Sequence, residues 1–396
     1  MHVWMLDPAA MTPHYDLRLT AALGAQGVQV RLLTSRFLYE DHVPLAEQFA
    51  DHFFFRPLES GAQTLRERPW PRRLLRLAIY PFDLARLWRA FQSDPPDLLH
   101  VQWTWFPLLD RGLIRRMAAR VPVVLTVHDT LPRAASMTRL ADMRPLYDLA
   151  AHFIVHAEEN RQALLARSGV EPSRVSVVPH GPLMEELPAP SRSAAREALR
   201  IDPGAKVILF FGVIKPYKGL LDLIEAVALL RPEFPDVHLL IVGRPEGSVE
   251  PYTAAIAEKG LKDCTSFYPG FAPTEQVPLY FAAGDVVCLP YHEASQSGVL
   301  LTAYRFGRPV VVTGVGGLPE SVEEDGNGYI VPPKDPPALA AALARIIADP
   351  EKAERFGRRS QELARTRFSW ERAARLTQEV YARLLSAGSR REGNPS

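Results

Sequence analysis

Short apolar runs alternate with longer amphipathic segments from one end of the chain to the other, the pattern of strand and helix units that feed a parallel sheet. Six runs in the first half read as strands: VWML (3–6), VQVRLLT (28–34), LLHVQW (98–103), VVLTVH (123–128), FIVH (153–156) and VSVVPH (175–180). Five follow in the second half: VILFF (207–211), VHLLIVG (237–243), TSFYPG (265–270), VVCLP (286–290) and PVVVT (309–313). Between the two sets, residues 181–204 are rich in Pro, Ser and Ala and hold no sustained apolar face beyond one short helix, so they read as a linker. The pattern predicts two open α/β domains of similar size, 1–187 and 188–369, with a ligand in the crevice at the carboxyl ends of their strands. WERAARLTQEVYARLL (370–385) is amphipathic and is expected to return to the first domain, with a disordered tail after it to 396.

The length agrees with two domains, since 396 residues exceed what one core usually serves. With 47% apolar and 23% charged residues and a net charge of +1, the chain has an ordinary globular composition and no bulk charge to attract nucleic acid. Cys264 and Cys288 fall in runs that read as core, which suggests a reducing compartment and neither a disulfide framework nor a metal cluster. The start, MHVWMLDP, has no basic region ahead of an apolar one, and no stretch approaches a membrane span. A cytoplasmic location is expected.

Chemistry enters at FFGVIKPYKGL (210–220), where a buried strand gives way to helical spacing through Leu220, Leu221, Ile224, Val227 and Leu230. Unpaired N–H groups at a helix start attract anions, Gly212 and Gly219 permit close backbone approach, and Lys215 and Lys218 supply charge. Lys218 is followed by Gly219 and Leu220 rather than by a hydroxyl, so this is not a magnesium-binding phosphate loop. Only seven of the 46 basic residues are lysine, and two of those seven lie here. A second helix start follows in PYHEASQSGVLLTAYRFGRPVVVT (290–313), with Ser297 expected to cap a helix from Gly298 to Gly307. The N–H groups of Ser297, Gly298, Val299 and Leu300 are then available to a diphosphate held by Lys218, with Thr302 one turn deeper on the same face.

These motifs in this order, GVIKPYKG, LLIVG, YPGF before AAGDVVCLPY, SGVLLTAYRFGRPVV, GGLPE and DGNGYIV, resemble the family 4 glycosyltransferases of the GT-B fold. In the first domain the likeness is looser and rests on LLHVQW, LTVHDTLP, FIVHAEEN and VVPHG. The resemblance implies an α/β fold of two Rossmann-like parallel-sheet domains and retaining transfer of a sugar from an NDP-sugar. It implies no metal or other cofactor, and no Asp-x-Asp occurs in the chain. Its expected donor contacts are Gly212, Lys215, Lys218, Gly243, Phe271, Ser297, Gly298, Val299, Leu300 and Thr302. Two departures stand out. Where relatives carry two glutamates eight positions apart, this chain has Ala294 and Thr302, with Glu293 the nearest carboxylate and Glu320 another candidate. Where they carry an arginine after the strand glycine, it has Val213, and Lys215 is the substitute charge.

In the first domain His128 ends VVLTVH, and the resemblance sets it beside the transferred sugar. His128, Lys218 and Glu293 are therefore the expected catalytic residues, with the leaving phosphate taking the acceptor proton. His14, Tyr15, Asp16, Trp103 and Asp129 are the expected acceptor contacts; Trp103 and Trp105 suit either sugar stacking or a buried aromatic core. Residues 66–92 carry seven arginines against Glu67 and Asp83, which fits an interfacial helix on anionic lipid or a helix packed on its own domain. The expected acceptor is a saccharide or a lipid-linked one at the inner face of the membrane, in polysaccharide or glycolipid synthesis. Two other readings remain open: a nucleotide-sugar isomerase working through Glu293 and Glu320, and an inactive nucleotide-sugar-binding subunit.

Overall fold

The computed structural model describes residues 1–37, 44–61, 69–128, 146–184 and 187–392. They divide into two units, Met1–His180 with Trp370–Ser396, and Gly181–Ser369. Among the described residues the first unit has seven strands: β1 (His2–Asp7), β2 (Gln29–Thr34), β3 (Ala50–His52), β4 (Leu98–Val101), β5 (Val123–Thr126), β6 (His152–Val155) and β7 (Val175–Val177). All are parallel, in the order β3-β2-β1-β4-β5-β6-β7. The second unit has six: β8 (Lys206–Phe211), β9 (Val237–Val242), β10 (Thr265–Tyr268), β11 (Val286–Leu289), β12 (Val310–Thr313) and β13 (Gly328–Val331). They too are parallel, in the order β10-β9-β8-β11-β12-β13. In each sheet the chain winds outward from its first strand and then crosses to the other side, so β1/β4 and β8/β11 are switch points where the loops diverge and leave a crevice.

The unbroken apolar runs follow from burial on both faces. Val207 and Leu209 join the core on one side of the second sheet while Ile208 and Phe210 join the core on the other. The same alternation separates Val287 and Leu289 from Val286 and Cys288. Burial raises the pKa of both cysteine thiols. In the first unit the helix Trp370–Glu392 packs on the helix Pro13–Ala25, and Gln26 Nε2 donates to Glu371 O at 2.8 Å.

The strands expected at 98–103, 123–128 and 175–180 are shorter than their apolar runs, ending at Val101, Thr126 and Val177. The residues past those ends turn into the crevice loops. Two strands are additions to the expected set. β3 is three residues long with the polar sequence ADH, and β13 begins at Gly328 inside a turn-rich stretch.

The ends of β8 and β11 opposite the switch-point loops are fastened by charge. Asp285, just before β11, accepts from Val207 N at 2.8 Å and from Arg196 Nη2 at 2.7 Å. Arg196 is buried, and its guanidinium also donates to Ala283 O at 3.2 Å and Pro203 O at 2.6 Å. The helix Arg192–Leu199, which enters the second unit, is thereby tied to its two central strands. Arg196→Ala should destabilise this unit by about 1.5–3 kcal/mol, because Asp285 loses its buried partner and keeps only Val207 N and the exposed Arg192, 3.3 Å away. All six tryptophans belong to the first unit. The loss is therefore expected in the urea midpoint by circular dichroism, with the tryptophan-fluorescence midpoint unmoved; an unmoved dichroism midpoint would mean that apolar packing alone holds the helix.

Candidate functional site

In the second unit β8 stops at Phe211 and the chain passes through Gly212 and a single turn, Pro216–Lys218, into the helix Leu220–Leu230. Gly219 joins turn to helix at φ 65°, and a methyl group there would stand 1.9 Å from the Pro290 carbonyl oxygen. Only glycine fits a left-handed conformation this close to another backbone. The contact is reinforced on both sides. His292 N donates to Tyr217 O at 2.6 Å, and His292 Nε2 lies 2.7 Å from Asp222 Oδ2. The loops after β8 and β11 thus form one block at the switch point.

On that block Lys218 Nζ and Val299 Cγ2 converge over Gly212, at 3.4 and 3.3 Å from where a side chain would begin. Gly243, after β9, stacks on Gly212 so closely that a methyl group would stand 1.9 Å from the Gly212 oxygen. Lys218 Nζ lies 5.2 Å from the centroid of the Tyr291 ring. The helix Gly298–Arg305 starts beside them, so Gly212, Lys218, Gly298 and Val299 are brought together, whereas the Leu300 N–H, expected to be available to a diphosphate, donates to Ser297 O at 3.2 Å.

Other expected contacts are arranged differently. Ser297 precedes the helix but its side chain does not cap it; the hydroxyl lies 3.4 Å from Tyr291 Oη and is buried. Thr302 is buried, and its hydroxyl donates to Gly298 O at 2.8 Å, which leaves only acceptor capacity on that oxygen. Lys215 Nζ pairs with Glu246 Oε1 at 3.2 Å. Glu293 and Phe271 are exposed, and Glu320 lies in the short helix Leu318–Ser321. The sequence reading missed His292 and Gln296. The buried Gln296 Oε1 has no hydrogen-bond partner, and its position before Ser297-Gly298 was the signal available.

The first unit gathers a second set at the carboxyl ends of β1, β4, β5, β6 and β7. His128 Nε2 is 2.9 Å from Gln102 Oε1, and its Nδ1 is 3.1 Å from His156 Nε2. Trp103 stacks on the His128 ring with centroids 5.1 Å apart, and Tyr15 meets it edge-on at 4.7 Å. Tyr15 also touches the rings of His156, His180 and Trp370. His100, fully buried, reaches Tyr381 Oη at 2.5 Å and Thr126 Oγ1 at 2.7 Å. Burial, before any charge, holds His100 and His156 down to about 3 and His128 well below the ordinary imidazole value, the neighbouring rings adding to the shift in His128 and His156.

Tyr15 and Asp16 do not present themselves to an acceptor. Tyr15 is enclosed by those rings, and the buried Asp16 faces Asp7, whose carboxylate accepts from Met11 N at 2.6 Å and Thr12 N at 3.1 Å. Burial first, and then the Asp7 charge, raises the Asp16 pKa well above the usual range, so Asp16 is the protonated member of the pair. His14 is partly exposed beside Phe37, and Trp103 donates through Nε1 to Thr12 Oγ1 at 2.9 Å. Trp105 packs on Phe55 and Tyr80 in the core. Asp129 lies outside the described residues. Among the described residues no group of three or more His, Cys, Asp or Glu side chains is placed to hold a metal ion.

Comparison with known proteins adds the family. The profile described as Glycosyl transferases group 1 matches residues 191–363, and that described as Glycosyltransferase Family 4 matches residues 15–182. A D-inositol 3-phosphate glycosyltransferase of Mycolicibacterium gilvum is 34% identical over 94% of this chain and 84% of its own. The chain belongs to the family 4 glycosyltransferases. A second relative of that name, from Streptomyces bingchenggensis, is 30% identical over the same shares. Among solved structures, Anabaena HepE in complex with UDP-glucose aligns with a TM-score of 0.74 over 97% of this chain and all of its own, at 22% identity. Sucrose-phosphate synthase from Thermosynechococcus elongatus aligns at 0.71 over 98% and 100%, at 21% identity. Both share the fold, the GT-B arrangement of two Rossmann-like domains.

The neutral histidines of this glycosyltransferase make its stability depend on pH. Their folded pKa values lie below the unfolded one of about 6.5, so between about 6.5 and 3 the unfolded chain binds more protons. Their contribution is full above 6.5 and is lost as the pH falls through that window. Replacing His156 by Gln removes one such group. The slope of stability against pH between 6.5 and 4.5, read by tryptophan fluorescence, should then flatten by roughly 1.4 kcal/mol per pH unit; an unchanged slope would mean that His156 is charged in the fold.

Proposed function

We propose that this glycosyltransferase moves a hexosyl group, with retention of configuration, from an NDP-sugar bound on the second unit to a saccharide or lipid-linked acceptor bound on the first. The observation that carries the reading is the convergence of Lys218 and Val299 over Gly212 beside the start of the helix Gly298–Arg305. A glycine floor, a lysine and a row of backbone N–H groups at a switch point suit a diphosphate, and the same groups gain strength as the leaving diphosphate takes on charge. In the proposed step the bond from the anomeric carbon to the diphosphate oxygen breaks and the acceptor hydroxyl attacks from the same face. Its proton passes to the departing phosphate oxygen. Lys218 stabilises that oxygen, and His128 meets the transferred sugar.

Lys218→Ala should lower kcat/KM roughly ten- to hundredfold, since a charge-assisted contact to phosphate contributes about 1.5–3 kcal/mol. Hydrolysis of UDP-, GDP-, ADP- and TDP-sugars without acceptor measures it, and the donor found can then be tried with acceptors that include inositol 3-phosphate. Epimer formation without acceptor would replace this reading with the isomerase. Saturable binding with no turnover would replace it with the inactive subunit.

A membrane-borne acceptor is favoured by the helix Pro69–Ser93. It buries Tyr80, Asp83, Leu87 and Phe91 but leaves Leu74, Leu75, Leu77 and Phe82 exposed, with Phe82 76% accessible. Leu108 and Leu109 are exposed on the helix Pro107–Ala118 packed beside it. Arg73, Arg89, Arg115 and Arg116 are exposed on the same two helices, and each basic residue near an anionic surface adds about 1 kcal/mol. No helix among the described residues is long and apolar enough to cross a membrane, so attachment would be peripheral. Binding to phosphatidylglycerol vesicles at low salt is expected, weakening with salt and with Leu74→Ser, Leu75→Ser and Phe82→Ser together. Undetectable binding, or binding indifferent to these changes, would favour a water-borne acceptor.

A further inference from the structure

The polar chain through the first unit admits a single assignment of its protons when all three rings are neutral. His156 Nδ1 lies 3.0 Å from Val178 O, and a carbonyl only accepts, so this nitrogen carries the proton. His156 Nε2 is then a bare acceptor, which requires the proton in its 3.1 Å contact to sit on His128 Nδ1. His128 Nε2 is left with a lone pair, facing the Gln102 carboxamide at 2.9 Å. The two orientations of a carboxamide have the same shape, so hydrogen bonding decides between them. With its nitrogen toward His128, Gln102 donates there and turns its oxygen toward His100 Nε2, 3.4 Å away. His100 Nε2 then carries its proton, donating to Thr126 Oγ1 at 2.7 Å, while His100 Nδ1 accepts from Tyr381 Oη at 2.5 Å. Each contact from Val178 to Tyr381 then pairs one donor with one acceptor. The opposite orientation would place an acceptor at both ends of the His128–His156 pair and require a third proton on it, against the burial that keeps both rings neutral.

We infer that His156 is a positioning residue for His128: its fixed bond to the Val178 carbonyl sets the His128 proton on Nδ1 and makes Nε2 a hydrogen-bond acceptor. Such an Nε2 takes a hydroxyl or N–H, and it repels a carboxylate or a phosphate oxygen. Gln102 fills this position until a ligand hydroxyl displaces its amide. The tautomer stands on geometry alone, whereas the ligand hydroxyl rests on the proposed function, in which it belongs to the transferred sugar.

The test is long-range proton–nitrogen correlation NMR of the full-length 15N-histidine-labelled protein at pH 7.5, with the His128 signals assigned through His128→Asn. The expected result is an Nδ1–H tautomer of His128 in the wild type, kept in His156→Gln, whose side-chain oxygen replaces the acceptor, and changed to Nε2–H in His156→Phe. A wild-type proton on Nε2, a wild-type imidazolium, or the same tautomer in His156→Phe overturns the inference. If His156→Phe does not fold, the wild-type and His156→Gln spectra decide. Hydrolysis of UDP-glucose separates the two layers. A fall of at least tenfold in kcat for His156→Phe, restored in His156→Gln, supports both. A changed tautomer with unchanged kcat removes His128 from the sugar and leaves the positioning role intact.

Discussion

The second unit depends on a backbone contact that admits no side chain. Gly219 lies against the Pro290 carbonyl, so the loops after β8 and β11, which leave the sheet in opposite directions, are pressed together where a switch point would otherwise splay them apart. From that contact follow the His292 bonds to Tyr217 and Asp222 and the position of Lys218 over Gly212. The Arg196–Asp285 pair clamps the opposite ends of the same two strands. β8 and β11 are thus fixed at both ends, and Lys218 Nζ stands over the backbone between them. A charge already in place when a leaving group departs costs no reorganisation at that moment.

The first unit meets a different constraint. Its crevice end is built from polar side chains shut away from water: His100, Gln102, Thr126, His156, Asp7 and Asp16 are all buried. Such groups are tolerable only when each donor finds an acceptor. Asp7 meets the requirement through the backbone N–H groups of Met11 and Thr12, and the histidine chain meets it by ordering one proton per ring. A network satisfied in only one way is also rigid, so it fixes the orientation of His128 more tightly than apolar neighbours would.

Much of this was legible in the sequence because burial on both faces writes itself as unbroken apolar runs, and every one of the eleven expected strands is present. β3 and β13 escaped because their pairing depends on a neighbouring edge: ADH has no apolar pattern, and Gly328 reads as turn. Gly212, Lys218 and Gly298 were legible through strand–glycine–helix grammar. Chemistry that depends on partners far along the chain was not. Nothing near Asp16 announces that it will be paired with Asp7, and nothing near His156 announces that Val178 will fix its proton, 22 residues on. The capping role expected of Ser297 was local grammar overruled by tertiary contact, since Tyr291 offers its hydroxyl a partner in the interior.

The two missing glutamates acquire a physical meaning from this arrangement. Ala294 is buried, and its side chain carries no polar atom. Thr302 has its hydroxyl proton committed to Gly298 O. Neither position can offer the two-oxygen acceptor that grips a diol. In the proposed donor complex the diphosphate end, held by Lys218 and backbone N–H groups, therefore supplies a larger share of the binding, and sugar hydroxyls must find acceptors elsewhere. On the second unit the buried Gln296 Oε1, which lacks a partner, is such an acceptor. A carboxamide is neutral, so hydroxyl recognition there would rest on shape and hydrogen-bond direction rather than on charge, and would be correspondingly insensitive to salt.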